Sequence, residues 1–454
     1  MDLIRKTKLA GLSTLSLLIV PGSAYTYAAE RTEQPNILMI MVDDLGWGDL
    51  SVNGGRDVRT PNIDKLFQDG TALTNHYSNC TVCSPTRASL LTGLYPDMAG
   101  VPGVIRTHDH NSWGYLSEDA ITLPNLLKLA GYNTAIIGKW HLGLEAPNLP
   151  NMRGFDYFKG FLGDMMDDYY NHLRHGINYM WLNNHEIRPE GHATDLFTDW
   201  TVDYFHQQKE SNIPFFVFLS YNAPHFPIQP PEEWYQMVLD REPGIDSLRA
   251  RNVAFVEHLD AGVGKVMKEL KATGLDKNTL VVFTSDNGGS IPHHASNDPL
   301  RGGKQEHYEG GIKVPTVMVW PGKIRPGSET PVLSLTMDLL PTFLDIAGRP
   351  VLHAIDGISL WPYINGEDPG TSDRVVFWVR LEGGRYGGQA YYAARKGPYK
   401  ILQNNAFEPY QLFNLEDDPF EQKPLDTGLP VFNELRNHLS QHIRRAGAIP
   451  WQRK

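Results

Sequence analysis

The sequence is poor in cysteine, in excess positive charge and in long apolar stretches, and each shortage excludes a class of protein. Only two of the 454 residues are cysteine, so a zinc site built from two cysteine pairs cannot form. The formal net charge is −11, which gives no electrostatic support to a role in binding nucleic acid. No internal repeat or low-complexity segment is present. The remaining composition, 41% hydrophobic and 20% charged, is that of an ordinary globular protein.

Residues 1–28 have the pattern of a secretory signal peptide. Arg5, Lys6 and Lys8 give a positive start, an apolar run at 9–20 follows, and small residues precede position 28. The apolar run is too short to span a bilayer comfortably, and no other stretch is long and apolar enough to do so. We therefore expect an exported protein, periplasmic or secreted, without a stable membrane anchor.

The order of apolar runs predicts an α/β fold with two parts after the signal peptide. Continuous apolar runs of strand length alternate with helical patterns at 60–70, 122–130 and 246–271. This alternation predicts a large mixed, mostly parallel sheet between layers of helices, in a domain at 29–350.

The character of the chain changes at about residue 350. Shorter strand-like runs at 375–379, 389–394 and 411–415, a hairpin at 396–400 and a final helix at 433–444 follow. They predict a small antiparallel sheet with a helix, in a C-terminal α+β subdomain at 351–454.

Polar side chains follow four predicted buried strands at the points where the strands end. The strands are predicted at 35–42, 132–137, 214–221 and 279–284, and the side chains that follow them belong to Asp43, Asp44, Lys139, His141, His225, Asp286 and Asn287. Open α/β sheets place their sites beyond the carboxyl ends of the strands, so we expect one site here. The carboxylate and amide oxygens suit calcium or magnesium, whereas zinc and copper prefer His or Cys. Solvated turns are the alternative for the acidic residues, and a turn with an extended lysine is the alternative for Lys139 and His141.

The stretch 83–93 predicts a helix that begins at Cys83. Pro85 suits the first helical turn, and Gly93 is a plausible end. A thiol at a helix N-terminus, with Arg87 one turn on, is expected to have a lowered pKa and to be reactive. A buried structural cysteine explains the same residues equally well, and Cys80 with Cys83 could also form a disulfide or a redox pair.

The string Cys-Ser-Pro-Thr-Arg at 83–87, followed by Thr-Gly at 92–93, resembles the Cys-x-Pro-x-Arg signature of the type I sulfatases in the alkaline phosphatase superfamily. Further family blocks appear in the family's order: the Asp pair at 43–44, Gly-Lys-Trp-His-Leu-Gly at 138–143, Ala-Pro-His at 223–225, Ser-Asp-Asn-Gly-Gly at 285–289, the Gly-rich Lys304, and Leu-Phe-Asn-Leu-Glu-Asp-Asp-Pro at 412–419. The resemblance covers essentially the whole chain after the signal peptide. It implies an alkaline-phosphatase-like fold and a bacterial carbohydrate sulfatase.

The resemblance implies a modified nucleophile and a metal ion. In the family the cysteine matching Cys83 is oxidised by a maturation enzyme to formylglycine, whose hydrated aldehyde attacks sulfur. A bond to Cys80 would destroy this precursor, so Cys80 is interpreted as a bystander. The matching metal ligands are Asp43, Asp44, the residue formed from Cys83, Asp286 and Asn287, and the ion is usually calcium, with magnesium as the alternative.

The resemblance also implies a role for each basic residue of the site. Lys139 and Lys304 neutralise charge on the sulfate oxygens, and Arg87 supports the hydrated aldehyde. His225 is placed to protonate the leaving oxygen, and His141 to assist the second hydroxyl of the nucleophile.

The substrate is expected to be a sulfated carbohydrate, either a glycosaminoglycan or a marine polysaccharide fragment. The polar, aromatic stretch 145–212 is predicted to be a long irregular insertion, and we expect His172 and Arg174 in it to contact substrate. One alternative is a phosphate or phosphonate ester hydrolase of the same superfamily. A second is a non-catalytic binder of sulfated glycans with an unmodified Cys83.

Overall fold

The computed structural model of the protein describes residues 34–108, 112–370, 373–382 and 390–452. The predicted signal peptide at 1–28 lies outside these ranges, as do Asp109, His110 and Asn111. The described residues form a large mixed sheet between two layers of helices and a small antiparallel sheet with one helix. The predicted α/β fold class is therefore confirmed.

The described strands and helices follow one another in the predicted alternation. The strands are β1 (Asn36–Val42), β2 (Thr71–Leu73), β3 (His76–Tyr77), β4 (Asn133–Lys139), β5 (Tyr157–Phe161), β6 (Leu173–Arg174), β7 (Ile177–Asn178), β8 (Met180–Leu182), β9 (His185–Glu186), β10 (Phe215–Ser220), β11 (Thr279–Ser285), β12 (Val317–Val319), β13 (Ser328–Thr330), β14 (Ser334–Leu335), β15 (Val375–Leu381), β16 (Ala390–Lys396), β17 (Tyr399–Gln403) and β18 (Gln411–Asn414). The helices are α1 (Pro61–Asp69), α2 (Cys83–Thr92), α3 (Leu123–Leu129), α4 (Ala193–Gln208), α5 (Glu232–Arg241), α6 (Ser247–Ala272), α7 (Glu309–Ile312), α8 (Leu339–Ile346), α9 (Trp361–Ile364) and α10 (Pro430–Ala446).

The large sheet has ten strands in the order β13-β2-β12-β11-β1-β10-β4-β5-β8-β9. The central strands β11, β1, β10, β4 and β5 run parallel to their neighbours, whereas β12 and β8 join this group antiparallel. Strands β1, β10 and β11 are buried along almost their whole length, as parallel strands covered on both faces must be. The carboxyl ends of four central strands therefore meet at one edge of the sheet.

Alternate side chains of β1 pack into two separate hydrophobic cores. The even-numbered residues 38–42 face α1, α4, α5 and α6, and the odd-numbered residues 37–41 face α2, α3 and α8. The period of two along a strand makes this division, because successive side chains point to opposite faces. Continuous apolar sequence is thus the expected pattern for this position.

The small sheet consists of β15, β16, β17 and β18 in sequence order, each antiparallel to the next. Helix α10 packs on one face of it through Phe432, Leu435 and Leu439. On the opposite face Trp378 is fully buried, and its Nε1 donates to the carbonyl oxygen of Ser78 at 2.8 Å. The predicted hairpin and final helix are confirmed. Both sheets belong to the same unit, Gln34–Lys454.

The stretch 145–212 contains more regular structure than the sequence predicts. It supplies β5 to the large sheet, four short strands, and the 16-residue helix α4. In α4, Thr198 and Thr201 are buried, and their hydroxyls donate to the carbonyl oxygens of Thr194 and Phe197, one turn earlier. Threonines that satisfy their own hydrogen bonds can face a core, so hydropathy alone does not reveal this helix. Within the described residues, no helix has both the length and the apolar content needed to cross a membrane.

Candidate active site

Four neighbouring strands deliver the predicted polar side chains to one edge of the large sheet. Val42 pairs with Ser285, Met41 with Ser220, and Ser220 with Gly138, so β11, β1, β10 and β4 end at the same level. The site residues at or just beyond these ends are Asp43, Asp44, Lys139, His141, His225, Asp286 and Asn287. The common register therefore produces the juxtaposition that the strand-end pattern predicts.

Asp43 and Asp44 are fixed by a sharp turn directly after β1. The backbone N–H of Asp43 donates to the carbonyl oxygen of Ala223 at 3.1 Å, and that of Asp44 donates to Oδ1 of Asp286 at 3.3 Å. Asp44 has a φ of 66°, in the left-handed region that aspartate tolerates better than most residues. The turn brings both carboxylates towards Cys83, whose Sγ lies 3.1 Å from Oδ1 of Asp43 and 3.9 Å from Oδ1 of Asp44.

Cys83 is the first residue of α2, as predicted, but the prediction of a lowered thiol pKa is wrong. The side chain is buried. Burial, followed by the carboxylates of Asp286 and Asp43, raises the pKa of the Cys83 thiol well above its ordinary value, and Lys139 and Lys304 offset only part of this rise. A helix N-terminus lowers a thiol pKa when the thiol is partly exposed and faces mainly cations, and neither condition holds here.

Cys80 is a buried free thiol, and so is Cys83. The Sγ of Cys80 lies 3.7 Å from the carbonyl oxygen of Val379, on the small sheet. Burial raises the pKa of Cys80 to about 12. A buried, protonated thiol bonded to the backbone has the character of a structural residue.

Two lysines hold the two aspartates. Nζ of the fully buried Lys139 donates to Oδ2 of Asp43, and Nζ of Lys304 donates to Oδ2 of Asp44 at 2.7 Å. Lys304 Nζ also lies 3.7 Å from Sγ of Cys83. Burial by itself would raise the pKa of Asp43, but nearby cations, Lys139 first among them, hold it well below its ordinary value. Burial would also raise the pKa of Asp44, but Lys304 and His225 hold it below its ordinary value, so both aspartates are ionised carboxylates facing the thiol.

Arg87 binds Asp286 deep beneath the site. Its Nε and Nη2 both donate to Oδ2 of Asp286, at 3.1 and 2.7 Å, and its Nη1 donates to Oγ of Ser220 at 2.5 Å. All three side chains are fully buried. Burial, followed by the charge of Asp43, raises the pKa of Asp286 to about 7 despite Arg87. A further positive charge beside Asp286 would lower the pKa of this carboxyl group and favour its ionised form.

His225 is a neutral imidazole at the side of the site. Its Nδ1 donates to the carbonyl oxygen of Phe226 at 2.7 Å, so Nε2 is left to accept from Nζ of Lys304 at 3.1 Å. Burial, followed by the charge of Lys304, lowers the pKa of His225 to about 4. The imidazole and the ammonium group thus form a hydrogen-bonded pair beside Cys83.

His141 is hydrogen-bonded to the backbone near the start of α2. Its φ is 59°, in the left-handed region, so the chain turns directly after β4. The Nε2 of His141 donates to the carbonyl oxygen of Ile105 at 2.8 Å and lies 3.1 Å from Oγ of Ser84. Its buried Nδ1 has no hydrogen-bond partner among the described residues. Burial, followed by Lys139, lowers the pKa of His141 well below its ordinary value.

These groups open into a cavity of about 570 Å³, a volume within the range of small-molecule sites. Cys83, His141, His225 and Lys304 all line it. Residues that the sequence patterns did not single out also line it: Phe226, Ser290, His293, Gln305 and Arg380. The rings of Phe226 and His293 stack with centroids 4.4 Å apart. In the sequence, Phe226 and His293 are marked only by their position shortly after the motifs at 223–225 and 285–289.

Of the two residues predicted to contact substrate in the 145–212 stretch, one lines the cavity. Arg174 does so, with its charge paired to Asp164 at 3.0 Å and Asp167 at 2.8 Å. His172 does not line the cavity, because its side chain is buried and its Nε2 donates to the carbonyl oxygen of Gly191 at 2.9 Å. This hydrogen bond indicates that His172 stabilises the backbone within the 145–212 stretch.

The chemistry of the site fits a divalent cation that prefers oxygen ligands. Asp43, Asp44, Cys83 and His225 each offer a ligand atom, and these atoms lie within 4.8 Å of one another. Nδ2 of Asn287 donates to Oδ1 of Asp44 at 2.8 Å, while its buried Oδ1 has no hydrogen-bond partner among the described residues. A buried amide oxygen without a donor, in a side chain that contacts the carboxylate of Asp44, suits a hard cation such as calcium or magnesium.

Two protein-family models match the chain. Residues 35–349 match the sulfatase family. Residues 303–448 match the C-terminal part of N-sulphoglucosamine sulphohydrolase.

Individual proteins and structures are similar over most of the chain. N-acetylgalactosamine-6-sulfatase of Mus musculus is 33% identical over 408 residues, which cover 85% of this chain and 75% of that protein. A sulfatase of Formosa agariphila is 30% identical over 538 residues, covering 97% and 95%. The crystal structure of Ps i-CgsB in complex with k-i-k-neocarrahexaose is 32% identical, with a TM-score of 0.84, covering 93% of this chain and 95% of that chain.

Replacement of Arg87 by alanine is expected to destabilise the protein strongly when metal ions are chelated. The free energy of unfolding should fall by about 3–5 kcal/mol, because the buried Asp286 loses its partner. Urea unfolding in the presence of EDTA measures the change. The control is Arg188→Ala, which breaks an exposed ion pair with Glu186 and should leave the free energy of unfolding almost unchanged. Equal stability of the two variants would contradict the proposed dependence on the buried pair.

Proposed function

The chain belongs to the sulfatase family, and from that membership we propose that it hydrolyses a sulfate ester on a sulfated carbohydrate, a glycosaminoglycan or a marine polysaccharide fragment. The reaction class, sulfuric ester hydrolysis, follows from the family. The observation that carries the proposal is the cavity above Cys83, where Lys304 and His225 line the wall of a protein whose net charge is −11. An acidic protein needs such a local cationic pocket to hold a sulfated substrate.

The carbohydrate substrate is supported by what the similar proteins are named for. One is an N-acetylgalactosamine-6-sulfatase, and one crystal structure contains k-i-k-neocarrahexaose, which is a sugar. A phosphate or phosphonate ester would meet the same cations, so the cavity alone does not separate the alternatives. The sulfatases among the relatives favour sulfate, and comparative turnover of sulfate and phosphate esters tests that preference.

We propose that Cys83 is oxidised to formylglycine by a maturation enzyme. We also propose that Asp43, Asp44, Asp286 and Asn287, together with residue 83, hold one calcium ion, with magnesium as the alternative. The hydrated formylglycine supplies a hydroxyl nucleophile, and the ion supplies a Lewis acid for the sulfate group. The unpartnered Oδ1 of Asn287 and the ionised aspartates support the oxygen-rich site.

The other side chains act on the substrate or on these groups. We propose that Lys139 and Lys304 neutralise charge on the sulfate oxygens, which grows as the ester bond breaks. Nε2 of His225 accepts a hydrogen bond from Lys304 beside the cavity. We propose that Nε2 takes up a proton from Lys304 along this hydrogen bond and gives it to the departing sugar oxygen. Arg87 keeps Asp286 in place, and His141 is positioned near α2 to orient a hydroxyl of residue 83.

The proposal includes export and a division of the chain. Residues 1–28 would act as a signal peptide that directs the protein to the periplasm or the medium, which their charge and apolar pattern supports. Residues 29–350 would form the catalytic domain and residues 351–454 the smaller subdomain. Export also suits an enzyme whose substrate is an extracellular polysaccharide.

The first test concerns Cys83. Peptide mass spectrometry of active protein is expected to find an aldehyde at position 83 and a free thiol at Cys80. Cys83→Ser should be nearly inactive in a host whose maturation enzyme accepts only cysteine, because a serine hydroxyl is not converted. The matched control Cys80→Ser should retain activity. Full activity with a quantitatively free thiol at 83, or with a bond between the two cysteines, would overturn the proposal.

The second test concerns the metal. Elemental analysis is expected to find one calcium or magnesium ion per chain, and the ion should be absent from Asp286→Ala and strongly reduced in Asp286→Asn. The asparagine variant keeps a partner for Arg87, so it separates metal loss from unfolding. Asp199→Ala, an exposed carboxylate on α4, is the control and should retain the ion. Stoichiometric zinc, or full activity after exhaustive chelation, would contradict the proposed calcium or magnesium site.

The third test concerns His225. His225→Ala is expected to reduce kcat on unactivated sugar sulfates by about 10²–10⁴-fold, the range for loss of a general acid. The loss on aryl sulfates should be far smaller, because a phenolate leaves without a proton. His206→Ala, which changes an exposed histidine on α4, is the control. Equal losses on both kinds of ester would instead give His225 a role in binding sulfate.

A further inference from the structure

A second cavity, of about 620 Å³, lies beside the active-site cavity and shares Arg106 with it. Val104 and Thr107 line the first cavity, whereas Ile105 lines the second, so the backbone at 104–107 forms the partition. The carbonyl oxygen of Ile105 accepts from His141, which ties this partition to the site. A ligand longer than one sugar unit, bound at Cys83, would therefore reach the second cavity by crossing Arg106.

The lining of the second cavity has the character of a sugar site. It combines the aromatic side chains of Tyr115, Tyr179 and Trp451 with hydrogen-bonding groups of Ser112 and Asn148. Tyrosine and tryptophan offer a flat apolar ring with a polar edge, and a few polar groups fix a ligand's orientation.

The charge of the second cavity distinguishes it from the first. Its described lining contains one cation, Arg106, and one anion, Glu145. Arg106 donates to Oε2 of the buried Glu382 at 2.9 Å, so its charge is also paired. The first cavity is instead rich in histidine, lysine and arginine. The second cavity thus suits a neutral, hydroxyl-rich part of a substrate better than a second sulfate group.

Trp451 is held in place by an aromatic stack with Trp113. Its ring stacks on that of Trp113 with centroids 4.7 Å apart and an interplanar angle of 17°. The N–H of Trp113 donates to the carbonyl oxygen of Val104 at 2.9 Å, which links the stack to the partition. Trp451 lies beyond residue 448, where the match to the C-terminal family model ends. The ring therefore packs against Trp113 at the cavity wall, outside the region that the family model matches.

We propose that the second cavity binds unsulfated sugar units of an oligosaccharide whose sulfated unit occupies the active site, with Trp451 as the stacking platform. The inference rests on the proposed carbohydrate function and extends it to a substrate of several units. Because the contact exists before and during the reaction, it lowers KM and leaves kcat unchanged.

The test compares Trp451→Ala with the parent enzyme on long and short substrates. The probes are two hexasaccharides of neutral sugars that carry one terminal sulfate, on galactose O4 or on N-acetylgalactosamine O6, with galactose 4-sulfate, N-acetylgalactosamine 6-sulfate and 4-nitrophenyl sulfate as short counterparts. Loss of one stacking contact should raise KM for a hexasaccharide about three- to tenfold. The values of KM and kcat for the short substrates should not change.

Two further variants separate binding from folding. Trp451→Phe keeps a ring on Trp113 and should restore most of the hexasaccharide KM, while Phe407→Ala removes another ring, 88% exposed, and should change nothing. An equal change on long and short substrates, or a parent enzyme with no preference for either hexasaccharide, would overturn the inference. If the inference fails but the enzyme still hydrolyses 4-nitrophenyl sulfate, the sulfatase assignment stands. If the enzyme hydrolyses none of the sugar sulfates, the proposed function itself is contradicted.

Discussion

The site depends on the mutual neutralisation of charges that are buried at one edge of a parallel sheet. The carboxylates of Asp43, Asp44 and Asp286 face Lys139, Lys304 and Arg87, and each carboxylate contacts one of these cations. A single unpaired charge at such depth would cost several kcal/mol, so the group is stable only as a set. The sheet order makes the set possible, because β11, β1, β10 and β4 end side by side.

Two residues at these strand ends adopt a backbone conformation that non-glycine residues avoid. Asp44 and His141 both have φ values near +60°, directly beyond β1 and β4. Such conformations cost of order 1–3 kcal/mol each and persist where the surroundings hold them. Here the surroundings are hydrogen bonds: Asp286 binds the N–H of Asp44, and Ile105 binds the ring of His141. The turn after β1 brings the successive carboxylates of Asp43 and Asp44 to the same thiol, which a fully extended chain cannot do.

The sequence predicts the parts of the site that depend on local pattern. Apolar runs that end in Asp43, Lys139 and Asp286 reveal both the strands and the edge where they end. The sequence does not predict properties that depend on the combined effect of residues far apart in the chain. The pKa of Cys83 is the clearest case, because burial and two distant carboxylates outweigh the helix N-terminus that the local sequence shows. Trp451 is another, since its partner Trp113 lies more than 300 residues away in the chain.

The complete burial of α2 determines when Cys83 could be modified relative to folding. Every residue of this helix is buried, and among the described residues Cys83 lines a cavity that is far too small for another protein. A maturation enzyme must bind the residues around its target in an accessible conformation, and the folded chain does not offer one. The proposed oxidation of Cys83 would therefore have to precede folding of α2. Conditions that speed folding relative to the maturation enzyme would then yield a stable, correctly folded and permanently inactive protein.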